Sequence, residues 1–414
     1  MNAWAHVNCC KTIGCRLFGV ANSARYLHIG RNCRCPECGY YFPFISPGSL
    51  SAFSHQSNHH YAGVMLCCPG CGQTDALVRH GQNAAGKQRW RCQACARTFT
   101  HYAGPVAWDE KLTPLREAIA TGASFRLVYQ DSQLIRRALS RLAFLAGLEQ
   151  VHSSLASLNA EFSTTAFTVG FNGGENQLYL IVTADNKTGR VIALSTNYMA
   201  LNQGIGQEWR YPSLPGEKQS TQSVIRQVFD KDRIIKQRPL LFDVAYGVAE
   251  LKRDDTGVVV KPVIAAYRHF ALVHALTHKR VLSVQHWLAH ECFLYGACLM
   301  ANRHDVVSQR SRIGFVYERG TRDDTQRLRS DTVVSSIIWR DSWRCYSQRH
   351  YEMAVCHLTG NPGNAAFLHA TLQPAKAFQS WLAMHPVWPQ LNRLAPRNVV
   401  ALLEYLAAEY NRER

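Results

Sequence analysis

Fifteen cysteines are spread through 414 residues, and eight of them fall into two sets of paired thiols. One set is Cys68-x2-Cys71, followed after twenty residues by Cys92-x2-Cys95. Thiolates are soft ligands for Zn²⁺; each C-x2-C turn offers two of them, and two such knuckles complete a tetrahedron. The other set is Cys10-x4-Cys15, followed after nineteen residues by Cys35-x2-Cys38, and here the adjacent Cys9 and Cys33 leave the choice of thiols open. The spacing predicts two structural zinc sites, with Cys10, Cys15, Cys35 and Cys38 in one and Cys68, Cys71, Cys92 and Cys95 in the other. Around the last knuckle Lys87, Arg89, Arg91 and Arg97 cluster, with Trp90 and Phe99 interleaved. Cations on a rigid knuckle neutralise phosphates, and aromatic rings can stack on bases. Phe99 reads as part of the small ribbon core, and Trp90 fits either role.

The bulk properties agree with a polyanionic partner. The formal net charge is +17; two four-thiolate zinc sites, each carrying −2, lower it by four to about +13. Such an excess favours DNA, RNA or an anionic membrane surface. With 47% apolar and only 18% charged residues, wholesale disorder is excluded. No run approaches the ~20 apolar residues of a spanning helix, and Met1 to Val20 lacks the apolar stretch of a secretory signal. The expectation is a cytoplasmic bacterial protein whose cysteines stay reduced and bind metal.

The elements that must position these groups follow from pattern. Arg34-Cys35-Pro36-Glu37-Cys38-Gly39-Tyr40-Tyr41-Phe42 aligns with Arg91-Cys92-Gln93-Ala94-Cys95-Ala96-Arg97-Thr98-Phe99, which marks a repeated unit, and Ser46–Asn58 reads as the linker between copies. Leu115, Ile119 and Leu127 predict two short helices broken at Gly122, and Ile135, Leu139, Leu142 and Leu145 form one face of a third helix, started at Asp131 or Ser132. That third helix carries Arg136, Arg137, Ser140 and Arg141 opposite its apolar stripe, as a helix-turn-helix recognition helix would. Ala166–Phe171, Gln177–Ala184 and Val191–Thr196 read as strands, as do Pro239–Phe242 and Val258–Ala265; Gln219–Phe229 and Ser283–Ala301 read as helices. The resulting fold class is a multidomain α/β protein. Its divisions are zinc ribbon 1 (1–45), zinc ribbon 2 (60–104), a helix-turn-helix (110–150), a mixed α/β domain (160–330) and a helical C-terminal region (331–414).

This layout, with Cys68-Pro69-Gly70-Cys71 leading to Gln88-Arg89-Trp90-Arg91-Cys92, resembles bacterial insertion-sequence transposases. The resemblance is carried by residues 10–100 and extends in outline over 111–148. It implies an RNase H-like domain whose triad of acids holds two Mg²⁺ ions for DNA cleavage and strand transfer. Acids where apolar strands end supply two candidates, Asp185 and Asp243; Glu291, on the inward stripe of the helix expected over Ser283–Ala301, supplies the third. Asp185 also begins Asp185-Asn186-Lys187-Thr188-Gly189, a plain turn, whereas the preceding strand ends at Asn172 without an acid. If that strand is the first of the domain, the triad is broken.

Two further patterns remain. His274-x3-His278 and His286-x3-His290 have the spacing of one helix face, but no His-Glu-x-x-His protease motif is present, and the expectation is polar-face histidines near phosphate. Arg303, Arg310, Arg312, Arg319, Arg322, Arg327 and Arg329 could line a DNA channel, although Asp305, Glu318, Asp323, Asp324 and Asp331 dilute them. The sequence therefore points to a DNA-binding, transposase-type protein of a mobile element, possible as a homo-oligomer on DNA and without a membrane partner. Its rival is a transposase-derived regulator that binds DNA without cutting it, and a third reading is RNA binding.

Overall fold

The computed structural model describes residues 6–44, 66, 68, 76–100, 107–154, 160–200, 223–237, 257–323 and 328–414, less a few positions inside those spans, among them Cys95, Asn172 and 336–341. Two small antiparallel sheets come first. One is β1 (Leu27–Ile29), β2 (Asn32–Arg34) and β3 (Tyr41–Pro43); the other is β4 (Leu77–Gln82), β5 (Gln88–Cys92) and β6 (Thr98–Thr100). Three helices follow: α1 (Thr113–Thr121), α2 (Phe125–Val128) and α3 (Ser132–Ser154).

The α/β body begins with β7 (Glu161–Phe171), β8 (Asn176–Asp185) and β9 (Val191–Thr196), then β10 (Tyr198–Ala200), α4 (Val224–Gln237), β11 (Gly257–Val259) and α5 (Pro262–Thr277). It continues with β12 (Val284–Leu288), α6 (Cys292–Ala301), α7 (Arg303–Val307) and β13 (Ser311–Gly320). Three more strands, β14 (Arg329–Ser335), β15 (Ser342–Gln348) and β16 (Tyr351–His357), precede α8 (Gln373–Met384), α9 (Trp388–Leu391) and α10 (Pro396–Arg412).

Eight of these strands form one sheet in the order β14-β15-β16-β13-β12-β7-β8-β9. The first three body strands make an antiparallel meander, and β12 and then β13 join it parallel to β7. The remaining three extend the far side antiparallel. Helices cover both faces. Thr183 on β8 hydrogen-bonds His269 of α5 at 2.7 Å, while Ser163 on β7 points the other way and accepts the Ala375 amide of α8 at 3.2 Å. Thr164, Thr183, His269 and Ser195 form a buried hydrogen-bonded chain under α5. Every polar member has a partner, which is what makes such a chain tolerable in a core.

Three expectations from the sequence are corrected. Ser283–Ala301 is not one helix: Val284–Leu288 is a strand whose five residues are all buried, and the helix starts only at Cys292. A strand covered on both faces shows no alternation, so its apolar run looks helical. Val258–Ala265 is not one strand, because it ends at Val259 and Pro262 opens α5 at a position where its missing N–H costs nothing. The region 331–414 is not helical throughout: strands run to His357, the last of them buried at every residue except Glu352, and helices begin at Gln373. Among the described residues no helix is long and apolar enough to cross a membrane.

The helices α1–α3 are welded to the body. Ile135, Leu139 and Leu142 of α3 are buried, and α3 packs along α10. Leu127, one of the residues that predicted the short helices, is 83% exposed. Gly122 ends α1 with φ +72°, and a Cβ there would stand 2.3 Å from the Pro386 carbonyl oxygen. Gly122→Ala must therefore strain the backbone and push apart the joint between α1 and the α8–α9 turn. We expect a loss of at least about 2 kcal/mol of stability, read as a lowered denaturant midpoint with unchanged zinc content.

Candidate metal centre and nucleic-acid interface

The first ribbon brings its expected ligands together. The sulfurs of Cys10, Cys15, Cys35 and Cys38 all lie within 4.8 Å of one another. Cys10 Sγ is 3.4 Å from Cys38 Sγ, and Cys15 Sγ is 3.8 Å from Cys35 Sγ. Four Zn–S bonds of about 2.3 Å at tetrahedral angles place sulfurs about 3.8 Å apart. The four thiols thus fit a structural Zn²⁺ as they stand.

Local backbone explains the arrangement. Gly14, between Cys10 and Cys15, and Gly39, just after Cys38, take left-handed φ of +84° and +74°, which turns the chain sharply at each pair. The amides of Thr12 and Leu17 point at the sulfurs of Cys10 and Cys15, at 3.5 and 3.4 Å. Burial pushes the Cys38 thiol up, but hydrogen bonds with the Thr12 hydroxyl and the Tyr40 amide outweigh it and bring the pKa to about 7. Burial holds the Cys10 thiol above its usual range. Metal binding requires thiolates, so it must release protons here. The two thiols that blurred the sequence pattern lie outside the tetrad: Cys9 donates to the His6 carbonyl and meets Met300 Sδ at 3.2 Å, and Cys33 sits 3.5 Å from His28 Nδ1.

Lys11 was not singled out by the sequence, since one more lysine in a basic chain gives no signal. It is buried between ribbon 1 and the body. Its ammonium donates to the carbonyls of Val7 and Cys9 at 3.0 and 3.2 Å and stands 5.1 to 5.8 Å from the ring centres of Phe42, Tyr40 and Tyr267. Burial pushes it below the usual lysine range, and the neighbouring Cys9 and Cys10 sulfurs act the other way. No carboxylate partner is recorded for it among the described residues. A zinc tetrathiolate would carry −2, and Lys11, which interacts electrostatically with Cys10, is a buried cation in place to offset part of that charge.

The second ribbon is described in part. Cys68 and Cys92 are buried; Cys71 and Cys95 lie outside the described residues. The backbone after Cys92 nonetheless repeats that after Cys35. Cys92 N–H donates to Arg97 O at 2.9 Å, as Cys35 N–H does to Tyr40 O at 2.8 Å, and Ala96 takes φ +59° where ribbon 1 has Gly39. Trp90 lies in register between Arg79 and Phe99, on the face of the sheet opposite Arg89 and Arg91. Asn83 Oδ1 accepts the amides of Ala85 and Lys87, which fixes the hairpin that presents Lys87.

On α3, Arg136, Arg137 and Ser140 are exposed. Arg141 is committed elsewhere: its guanidinium makes two 2.7 Å hydrogen bonds to the Asp109 carboxylate. That bidentate pair anchors α3 to the segment before α1.

Of the three expected acids the described residues include Asp185 and Glu291, and these two are not brought together. Asp185 closes β8 opposite Phe162, and its Oδ1 accepts the amides of Lys187 and Thr188, the arrangement of a turn. Glu291 is not on a helix face; it precedes α6 in extended backbone and pairs with Lys231 of α4. Leu288, at the end of β12, is level with Thr164 of β7, so Asp185 and Glu291 are two strands apart and displaced along them. Two strand spacings are about 10 Å, and the offset along the strands adds to that, which takes the pair beyond the reach of one two-metal site. Asp243 lies outside the described residues.

The histidine and arginine patterns also resolve. His286 and His290 are not on one helix: both are buried, and burial pulls the His286 pKa down to about 3 and that of His290 well below its usual value. They are neutral core groups and face no phosphate. His274 and His278 do stack, 4.8 Å apart, at the end of α5. Arg310 pairs with Asp305 and Arg319 with Glu352, so neither stands alone along a channel.

A family model for the InsA N-terminal zinc-ribbon domain matches residues 61–96. That stretch holds all four cysteines of ribbon 2 and Lys87, Arg89, Trp90 and Arg91.

Replacing Lys11 tests the charge balance of ribbon 1. Lys11→Met keeps the volume and removes the cation. Zinc affinity, measured against a chromophoric chelator, should fall by about tenfold, the equivalent of ~1.4 kcal/mol, while the metal-free chain is no less stable than the parent. Equal zinc affinity in the two proteins would contradict the pairing.

Proposed function

We propose that this chain is an insertion-sequence-related protein that binds duplex DNA and does so without cutting it at Asp185, Asp243 and Glu291. The observation that carries the first half is the zinc-ribbon match at residues 61–96, joined to a net charge of +17 and a first ribbon whose four thiols converge. Ribbon 2 holds a second zinc through Cys68, Cys71, Cys92 and Cys95, by analogy with the knuckle geometry it shares with ribbon 1. Lys87, Arg89 and Arg91 contact phosphates, and α1–α3 act as a helix-turn-helix with Arg136 and Arg137 on the exposed face of α3. Arg141 and Trp90 contribute by holding the local fold.

The body supports the same origin. The order β9-β8-β7-β12-β13, an antiparallel meander continued by two parallel strands, matches what an RNase H-like domain requires, here extended by three more strands. In such a domain the first acid belongs on the leading strand, β7. Level with the end of β12, that strand carries Thr164, Thr165 and Ala166. Thr164 is tied into the buried chain with Thr183 and His269. Hydroxyls spent in this way cannot replace carboxylates as Mg²⁺ ligands. This favours a transposase-derived binding protein over an active nuclease.

The full zinc-loaded chain should retard duplex DNA, with affinity falling steeply as salt rises, and structured RNA should compete poorly. With Mg²⁺ or Mn²⁺ present, supercoiled or element-end DNA should remain unnicked. Metal-dependent nicking that is lost in Asp243→Ala would overturn the non-cutting half; absence of duplex binding at low salt would overturn the first half.

A further inference from the structure

The two ribbons are copies of one sheet, and their registers can be laid side by side. In ribbon 1 one row across the strands is Leu27, Arg34 and Tyr41, and the next is His28, Cys33 and Phe42. In ribbon 2 the same rows are Val78, Arg91 and Thr98, then Arg79, Trp90 and Phe99. The pairs Arg34/Arg91, Cys33/Trp90 and Phe42/Phe99 hold the same places in the two sheets.

The copies have diverged in opposite directions. In ribbon 1 the inner row is spent on docking. Cys33 and Phe42 are buried, Tyr26 packs edge-on against Phe42 at 5.1 Å, and Lys11 joins the same face to Tyr267 of α5. Gly19 lies against Arg303 of α7, and Cys9 against Met300 of α6. Its outer face carries Leu27, Ile29 and Tyr41, exposed at 54, 47 and 43%, and one cation, Arg34. Such a face is mostly apolar and offers a phosphate only Arg34.

In ribbon 2 the outer face keeps one exposed apolar residue, Val78, at the place of Leu27, and is otherwise cationic and polar. Arg91 is flanked by Thr98, and Arg89 stands beside Thr100; the position equivalent to Arg89 in ribbon 1 is Asn32. No carboxylate pairs with Arg89 or Arg91 among the described residues. Two arginines on alternate residues of one strand are about 6.6 Å apart, close to the spacing of successive phosphates along a strand. Threonine hydroxyls next to them add neutral donors. Trp90 is on the opposite face, so a strand held by Arg89 and Arg91 cannot also have its bases stacked on that ring.

We infer that the ribbons divide the work: Arg89 and Arg91 of ribbon 2, with Thr98 and Thr100, grip the sugar-phosphate backbone of duplex DNA without reading its sequence, while ribbon 1 is a fixed part of the α/β body and touches no phosphate. This rests on the proposed DNA binding and adds which sheet face performs it and in what mode. The contact positions the duplex; any base readout belongs to another element.

Salt dependence measures the number of phosphates neutralised, at a slope of about 0.9 per contact on a log–log plot. Binding of fluorescent duplexes of two unrelated sequences to the full zinc-loaded chain would be followed by anisotropy from 50 to 200 mM salt. Arg89→Ala/Arg91→Ala should lower the slope by about 1.8 and weaken both duplexes by the same factor. Arg34→Ala should leave slope and affinity unchanged, and zinc content should be equal in all three proteins. A slope unaltered in the double variant, or lowered as much by Arg34→Ala, overturns the division. Weakening of only one of the two sequences overturns the backbone mode. A parent chain that binds neither duplex would instead be failure of the underlying function.

Discussion

The convergence of four sulfurs in the first ribbon is the constraint on which the N-terminal structure depends. A segment as small as residues 6–44 has little apolar surface to bury, and short three-residue strands cannot hold a sheet together by themselves. A metal held by the four thiols would fix the two knuckles, and the knuckles the register of β1–β3. That register in turn places Phe42 and Cys33 inward, where Lys11, Tyr40 and Tyr267 close the joint to the body. A buried ammonium without a carboxylate is costly in an apolar setting. Beside the anionic tetrathiolate that bound zinc would make, it would act as a counter-charge, tying metal, lysine and docking surface together.

The α/β body presents the opposite case, in which polar groups look inward and are consumed by the fold. Thr164, Thr183, His269 and Ser195 satisfy one another between sheet and helix, and Asp185 caps a turn. Glu291 is paired with Lys231, and Arg141 with Asp109. Groups engaged in this way stabilise a scaffold and are not poised for reaction. The proposed binding surfaces, by contrast, use the cations left over at the exposed faces of β5 and α3.

The sequence made some of this legible and hid the rest for physical reasons. Ligand spacing identified the ribbon 1 tetrad because chelation imposes a local geometry that survives as C-x4-C and C-x2-C. The meander β7–β9 and helices α1–α3 were legible because turns and one-sided burial leave a period. The strand Val284–Leu288 was not: buried on both faces, it has no period, and its misreading as helix put Glu291 on an inward stripe that does not exist. The three strands from Arg329 on were missed for a like reason: in β16 every residue but Glu352 is buried, so no polar alternation marks it. Lys11 carried no signal at all, since its role comes from a ring in α5 more than two hundred and fifty residues along the chain, about which local pattern says nothing.

X-ray absorption at the zinc edge, on the full chain with Cys68 and Cys71 both changed to serine so that ribbon 1 alone keeps its thiol set, examines the central unit most directly. One zinc per chain surrounded by four sulfurs at about 2.3 Å is the predicted result. Nitrogen or oxygen in the first shell, or zinc well below one per chain in protein that is folded, would contradict it.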